Sequence, residues 1–391
     1  MQPQCDELQP GRVTRLSRRR GIGLICSLAA VIARPATHVS SIPPIHPVGD
    51  SAEIRTAICS GCRITLDSVT RFGGAGADIV FVPSASLAVT SKGEVIVGAI
   101  QTGGEVAKLS SGGRFDRMLS RTGSGPGQLP FVTHVAVGAG DTVFLFDGIS
   151  RWMHRVTSAG TFIDRTLLPG GIYNVLPIGG RRLFTSANVP SRAAVGYPLH
   201  VLDTAGVVAS FGDEVDIADP LAAGRMIRYL GRGRGETVWV AHRLSYRIES
   251  WTISGRLTGV LTRTVDWFPP SETPPRTSPQ LQPPQPTLRG VHDAGDGYLW
   301  VYVGVADPAW RAEPLRVTAV PGMFAPNYVL DAFVDTIIEV IELRRNVVVA
   351  SYREGRALVP IGGGYLASYE EDDQGKPTYR IWQPRLSTLS H

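Results

Sequence analysis

The chain has 391 residues, of which 43% are hydrophobic and 19% are charged, with 44 glycines and 29 prolines. So many turn-forming residues argue against a fold of long helices and favour many short strands. The formal net charge is +5, and five arginines against two acids before residue 34 supply +3 of it, which leaves +2 for the rest. This small excess excludes a nucleic-acid-binding surface from our expectations.

The N-terminal segment predicts export. Three arginines at positions 18 to 20 precede an apolar core that runs from Gly21 to Ala33. A membrane-spanning helix needs ~20 apolar residues, so we predict a signal peptide over residues 1–33 and keep an uncleaved single anchor as the alternative. The proline-rich residues 34–57 are predicted to be a flexible spacer, and residues 58–391 to be the folded domain.

From residue 60 onward one pattern recurs: a short apolar strand, a glycine turn, a stronger apolar strand, and two further strands joined by another glycine turn. The stronger strand occurs six times, as EVIVGA (94–99), DTVFLFD (141–147), RRLFTSA (181–187), ETVWVAH (236–242), GYLWVYV (297–303) and GGYLASYE (363–370). Blades of four strands that repeat every ~40 to 50 residues account for this spacing, with insertions in the later units. The sequence therefore predicts an all-β, six-bladed β-propeller.

The last unit lacks one strand. Only KPTYRIWQPRL (376–386) follows its second strand before the chain ends, whereas CRITLDSVTRFG (62–73) precedes the first unit and reads as a strand. We predict that residues 62–73 form the outermost strand of the last blade, because this pairing closes the ring and removes an open sheet edge.

Long insertions are predicted on one face of the propeller. In four-stranded blades, the loops between strands two and three and between successive blades open on the same face, which we call the insertion face. The insertions are residues 187–198, 268–286 and 304–335, whereas the turns of the opposite face are short and rich in glycine. Variable loops on a rigid scaffold commonly carry binding surfaces.

Residues 123–163, GSGPGQLPFVTHVAVGAGDTVFLFDGISRWMHRVTSAGTFI, resemble an NHL-type propeller repeat in the order of their loop, strands and glycine turn. Residues 60–391 as a whole are similar to exported six-bladed propellers of bacteria. The C-x-x-C sequence at 59–62, DWFPP at 266–270 and GYLWV at 297–301 are similar to features of those proteins. The resemblance implies this fold and export, and it implies no activity.

Cys59 and Cys62 are predicted to form a disulfide in an oxidising compartment. A dithiol redox motif is the alternative, but such motifs start a helix in a thioredoxin-like context that this strand-rich sequence lacks. No histidine follows Cys62 for haem attachment, and no second C-x-x-C is present to complete a zinc site.

Candidate ligand-contacting residues fall in or beside the loops of the insertion face. A polar group comprises Asp147, His242 and Tyr246, with ordinary capping of the blades as its alternative interpretation. An aromatic group could form recognition hot spots or pack the long loops onto the disc; it comprises Trp267, Phe268, Trp310, Phe324 and Tyr328. No metal ligands are predicted from sequence spacing, although propellers can assemble a divalent-cation site on their axis from several blades.

No nucleophile elbow, P-loop or dinucleotide fingerprint is present, so no catalytic residue is predicted. We expect a monomeric exported binding module, periplasmic, envelope-associated or secreted, whose partner is a protein, glycan or small molecule. Contact with a membrane is expected only through the N-terminal segment, if that segment is not cleaved. A metal-dependent hydrolase or lyase of the lactonase-like propeller type is the alternative, and it rests on analogy of fold alone.

Overall fold

A computed structural model describes residues 50–74, 77, 79, 81, 85–98, 103–219, 221–271, 281–312, 333–371 and 375–388. The signal peptide predicted over residues 1–33 lies outside these described residues, as does the first part of the predicted spacer. In the part of the chain that is described, no helix is long and apolar enough to cross a membrane.

Six sheets, each with four antiparallel strands at its centre, form the blades predicted from the six repeats. Three strands precede the first repeat: β1 (Asp50–Glu53), β2 (Arg55–Thr56) and β3 (Cys62–Gly73). Blade 1 contains β4 (Ser86–Val89), β5 (Val95–Gly98), β6 (Val106–Leu109) and β7 (Phe115–Ser120). Blade 2 contains β8 (Val132–Val137), β9 (Val143–Asp147), β10 (Trp152–Val156) and β11 (Phe162–Leu167). Blade 3 contains β12 (Gly171–Gly179), β13 (Arg182–Asn188), β14 (Leu199–Asp203) and β15 (Gly206–Phe211). A 3-10 turn (Ala139–Asp141) joins β8 to β9.

Blades 4 to 6 continue the same order. Blade 4 contains β16 (Arg228–Arg232), β17 (Thr237–His242), β18 (Arg247–Thr252) and β19 (Leu257–Thr262). Blade 5 contains β20 (Thr287–Asp293), β21 (Tyr298–Ala306), β22 (Val334–Glu342) and β23 (Val347–Glu354). Blade 6 contains β24 (Val359–Pro360), β25 (Leu366–Glu371) and β26 (Pro377–Thr388). A single short helix, α1 (Ala222–Met226), precedes blade 4 among the described residues.

The centre of the second strand is mostly buried in each blade, which explains why the sequence marks this strand with a mainly apolar run rather than with strict alternation. Every residue of β5 and β9 is buried. The outer strand β11 instead alternates between half-buried and exposed residues, because only one of its faces meets a neighbouring blade.

The ring closes as predicted, through the strand that precedes the first repeat. The strand β3 pairs antiparallel with β26, from Cys62 opposite Thr388 to Gly73 opposite Thr378. Near the end of β3, the Phe72 ring stacks on Tyr379 with centroids 5.6 Å apart and meets the edge of Phe81 at 5.1 Å. The last blade is therefore completed by residues from the start of the domain.

Residues 50–56 differ from the prediction of a flexible spacer through residue 57. They form β1, which adds to β19 of blade 4 in parallel, and β2, which adds to β23 of blade 5 in parallel. Ile54, between the two strands, is only 3% exposed and packs in the core between these blades. We call residues 50–56 the N-terminal strap; the spacer prediction was wrong for them because the outer edges of blades 4 and 5 supply free hydrogen-bonding groups.

Candidate functional site

The connections on the insertion face are long between blades 3 and 5. Residues 189–198 join β13 to β14, residues 263–286 join β19 to β20, and residues 307–333 join β21 to β22. The alternating direction of the strands puts all three connections on one face, in agreement with the three insertions expected from the sequence. The structure describes only parts of the last two connections.

A fourth long connection, residues 212–227, was missed by the sequence analysis. It joins blade 3 to blade 4 and contains α1. Just before α1, Asp219 accepts a hydrogen bond from the Leu221 amide at 2.7 Å and pairs with the Arg225 side chain. The Asp-Pro step at 219–220, followed by helix-forming residues, was the available signal for a connection rather than a strand.

Asp147 stands at the end of β9, on the insertion face, where it shapes the turn that follows. Its carboxylate accepts hydrogen bonds from the Ile149 amide at 2.8 Å, from the Ser150 amide at 3.2 Å and from the Ser150 hydroxyl. Asp147 is itself buried. This arrangement corresponds to the capping interpretation of Asp147.

A cavity of about 200 Å³ lies beside Asp147, between the inner parts of blades 2 and 3. Its lining includes Thr133, His134, Arg151 and the backbone around Gly171. The Nδ1 atom of His134 is buried without a hydrogen-bond partner. Burial lowers the pKa of His134, partly opposed by a hydrogen bond with the Tyr173 backbone, so the ring is neutral at pH 7 and its Nδ1 can accept a hydrogen bond.

His242 ends β17 and belongs to a separate, buried cluster of charged groups. Its Nε2 atom lies 2.9 Å from Glu249 Oε1, which also accepts a hydrogen bond from Arg247 Nε at 2.7 Å. Burial alone raises the pKa of Glu249, but His242, Arg247 and the Trp251 indole lower it to about 2. Burial and the nearby Arg228 lower the pKa of His242.

The structure therefore does not combine Asp147 and His242 into one site. They belong to blades 2 and 4, with blade 3 between them in the ring, and their polar partners are different. The sequence showed that both end a second strand, but it did not show which polar groups each of them contacts.

Tyr246 takes part in a third polar network, at the boundary of blades 4 and 5. Its hydroxyl donates to Glu339 Oε2 at 2.6 Å, and Arg263 bridges Glu339 at 3.0 Å to the Thr56 hydroxyl at 3.0 Å. Burial raises the pKa of Glu339 and raises that of Tyr246 well above its ordinary value. This network attaches the N-terminal strap to both blades.

The aromatic candidates that the structure describes pack the loops onto the disc. Trp267 and Phe268 pack edge to face on Tyr246, with ring centroids 6.3 and 5.6 Å away, and Phe268 is buried. Trp310 is half-buried against Phe333. These positions match the packing alternative, whereas Phe324 and Tyr328 lie outside the described residues.

Cys59 and Cys62 form the predicted disulfide, with their Cα atoms 5.2 Å apart. The bridge lies at the start of β3 and packs on the core between blades 5 and 6. It belongs to the ring closure and not to a dithiol site.

The described residues contain no group of three or more histidine, cysteine, aspartate or glutamate side chains arranged to hold a metal ion. The metal-dependent alternative consequently has no ligand set in this part of the chain.

No protein-family model and no curated protein matches this sequence. Among solved structures, the fold is similar to that of a candidate exported protein from Bacteroides fragilis, with a TM-score of 0.51, 9% identity, and coverage of 87% of this chain and 100% of that one. It is also similar to a member of the duf4221 family from Bacteroides vulgatus, with a TM-score of 0.56, 10% identity, and coverage of 83% and 99%. Virginiamycin B lyase from Staphylococcus aureus matches at a TM-score of 0.40 and 12% identity, over 84% and 100% of the chains, which is too distant to support an argument. Identities this low show a shared fold alone, and the chain is a six-bladed β-propeller whose fold resembles that of the two Bacteroides proteins.

Proposed function

We propose that this chain is an exported β-propeller that binds a protein or another ligand through its insertion face. The observation that carries the proposal is the one-sided and local distribution of its longest connections. Residues 212–227, 263–286 and 307–333 all lie on this face, and all belong to the part of the ring from blade 3 to blade 5. Turns of the opposite face are tight, such as Thr157 to Thr161 and Thr252 to Arg256, each closed by backbone hydrogen bonds.

We favour binding over a role in folding because a blade can form its four strands without a long connection. Blade 2 connects β9 to β10 through residues 148–151 only, and its sheet has the same four strands. Connections longer than roughly 12 residues are uncommon in compact domains, and binding loops are a frequent reason for them. The His134 cavity opens at the same ends of the strands and gives this face a concave element.

Export is supported by three independent features. The N-terminal sequence has the character of a signal peptide, the Cys59–Cys62 disulfide suits an oxidising compartment, and one protein of similar fold is a candidate exported protein. We also keep the NHL-type character of residues 123–163 as a proposal. These residues form blade 2 with the loop before it, in which the Gln128 side chain accepts a hydrogen bond from the Gly125 amide at 3.2 Å.

Site-specific photo-crosslinking in the organism that encodes the protein tests the proposed face. A photoreactive residue is placed at Ile217, which is exposed in the 212–227 connection, and in a matched variant at Ser254, which is exposed in a turn of the opposite face. We expect adducts from position 217 and none from position 254. We further expect that replacing residues 313–331 by a glycine-serine linker reduces the adducts. Equal labelling from both positions would contradict the proposal.

A further inference from the structure

At the outer rim of the ring, the outer strand of one blade can contact the last turn of the next blade. At three boundaries the two parts touch directly. A Cβ atom added to Gly113 would lie 2.5 Å from Arg71 O, one added to Gly255 would lie 2.7 Å from the Phe211 ring, and one added to Gly160 would lie 3.5 Å from Met118 O. The rim is closed between blades 6 and 1, 3 and 4, and 1 and 2.

At two further boundaries, the chain that leads into the domain covers the rim. Between blades 4 and 5, the Ile54 amide donates to Thr262 O at 2.7 Å and the Arg55 amide donates to Asn346 O at 3.0 Å. Between blades 5 and 6, the Ala57 and Cys59 amides donate to Val348 O and Val349 O. The molecule thus uses an extended segment to fill the boundaries that its blades leave open.

The boundary between blades 2 and 3 is bridged by side chains, since Arg155 donates to Gly180 O at 3.2 Å and Arg181 pairs with Asp164, but its rim is neither closed by the last turn of blade 3 nor covered by any described residue. It forms a groove of about 320 Å³, which we call the rim groove, lined by Trp152, Asp164, Arg165, Thr166, Leu167, Arg181, Thr204, Ala205 and Gly206. Gly206 stands where the last turn of blade 3, between β14 and β15, passes into β15, and a Cβ atom added there would meet nothing within 4 Å. The glycines at the three closed boundaries occupy corresponding turns.

The strand edge in the rim groove corresponds residue by residue to the strand edge that pairs with the strap. In blade 2, β10 pairs with β11 from Trp152 opposite Leu167 to a bulge after Arg155. In blade 4, β18 pairs with β19 from Arg247 opposite Thr262 to a bulge after Ser250, the same register. Asp164–Leu167 are therefore the counterparts of Gly259–Thr262, the four residues that pair with β1.

The free edge of β11 also presents the correct backbone groups. The Leu168 amide donates to Arg151 O at 2.8 Å, as the Arg263 amide of blade 4 donates to Tyr246 O at 3.0 Å. Because inward and outward groups alternate along an antiparallel strand, the amides and carbonyls of Arg165 and Leu167 point outward. Thr262 is the counterpart of Leu167 in blade 4, and its carbonyl accepts the hydrogen bond from the Ile54 amide.

We propose that the rim groove binds an extended acidic segment of a partner protein, which adds to β11 as a parallel fifth strand. Strand addition supplies the backbone hydrogen bonds, as the strap does on blade 4. Trp152 and Leu167, the latter 49% exposed, offer an apolar contact for one anchoring side chain in the role of Ile54.

Charge sets the preference for an acidic segment. Asp164 is neutralised by ion pairs with Arg155 and Arg181, both at 2.6 Å, and Arg165 lies over the Trp152 ring at 4.5 Å from its centroid. Three arginines against one aspartate leave an excess of positive charge along the groove. The strap itself carries Asp50 and Glu53, the first and the last of the four residues that pair with β19.

A fluorescent peptide with the sequence of residues 48–57, VGDSAEIRTA, is the probe, added to the full-length protein. Its counterpart segment already occupies the strap groove in the same chain, so the added peptide is directed to the open one. We expect saturable binding, measured by fluorescence anisotropy, and slower hydrogen exchange at the amides of Arg165 and Leu167. We expect R165E and R181E to raise the dissociation constant of the peptide about tenfold.

The matched control is R63E, the same charge change at an exposed arginine in the outer strand β3 of blade 6. It should leave the affinity unchanged, and a peptide with both acids replaced by lysine should bind weakly. Equal affinity of R165E and R63E would overturn the proposal, as would the absence of saturable binding. Faster exchange at the Ile54 amide without slower exchange at Arg165 and Leu167 would also overturn it, because the peptide would then have displaced the strap.

Discussion

Closing the ring with β3 makes the stability of the last blade depend on residues far away in the sequence. Phe72 lies near the end of β3, is buried, and packs between Tyr379 of the last blade and Phe81. The substitution Phe72→Ala removes this ring and leaves a cavity, which costs about 3 to 5 kcal/mol for a buried phenylalanine. At ~1.4 kcal/mol for each factor of ten, the folded-to-unfolded ratio should fall roughly a thousandfold.

Urea denaturation, followed by the fluorescence of the buried Trp382 and the other tryptophans, measures the effect. We expect the midpoint to fall with no change in slope, since the same surface is exposed on unfolding. The control is Val69→Ala in the same strand, where the side chain is 40% exposed and the change should stay within about 0.5 kcal/mol. If Phe72→Ala and Val69→Ala shift the midpoint equally, β3 does not close the ring as described here.

Three further changes test other parts of the fold. Cys59→Ser should lower the free energy of unfolding by about 2 kcal/mol, the entropy of a loop of four residues, and reduction of the wild type should match it in calorimetry. Burial lowers the pKa of His200 to about 4 from 6.5, so the unfolded chain takes up the proton first as the pH falls. About 3 kcal/mol of stability, present above pH 6.5, should therefore be lost between pH 6.5 and 4. His200→Gln should make the free energy of unfolding less dependent on pH in that range. Purified protein should melt at the same temperature with and without a chelator; a stoichiometric ion whose removal lowers that temperature would instead favour the metal-dependent hydrolase.

The fold could be predicted because its strongest signals are local. The second strand of each blade has an apolar centre, as in VFLFD of β9, since both faces of a blade pack on neighbours. Turn glycines such as Gly160 and Gly255 punctuate these strands because their positive φ angles, 89° and 86°, suit few other residues. Counting strands then exposed the missing one, and only residues 62–73 could supply it.

The candidate site was harder to predict because position in a blade says little about which groups meet across blades. Asp147 and His242 both end a second strand, yet one caps a turn and the other joins Glu249 in a buried cluster. Tyr246 and Phe268 look like recognition residues in the sequence, but the network to Glu339 and the contact of the loop with the core bury them. The His134 cavity depends on β12 of the next blade, which no spacing in the sequence reveals.

The strap was missed for a different reason, which bears on the rim groove. Residues 50–56 carry no run of apolar residues, because a parallel fifth strand is held by backbone hydrogen bonds and by a single buried anchor, Ile54. A partner segment that used the rim groove would need equally little sequence information: an extended backbone, one apolar residue and acidic neighbours. The specificity of such a contact would then come from the rim groove, through Arg165, Arg181 and the open space at the Gly206 turn. The contacts at the other turns would keep the partner segment from the boundaries that they close; these turns contain Gly113, Gly160 and Gly255.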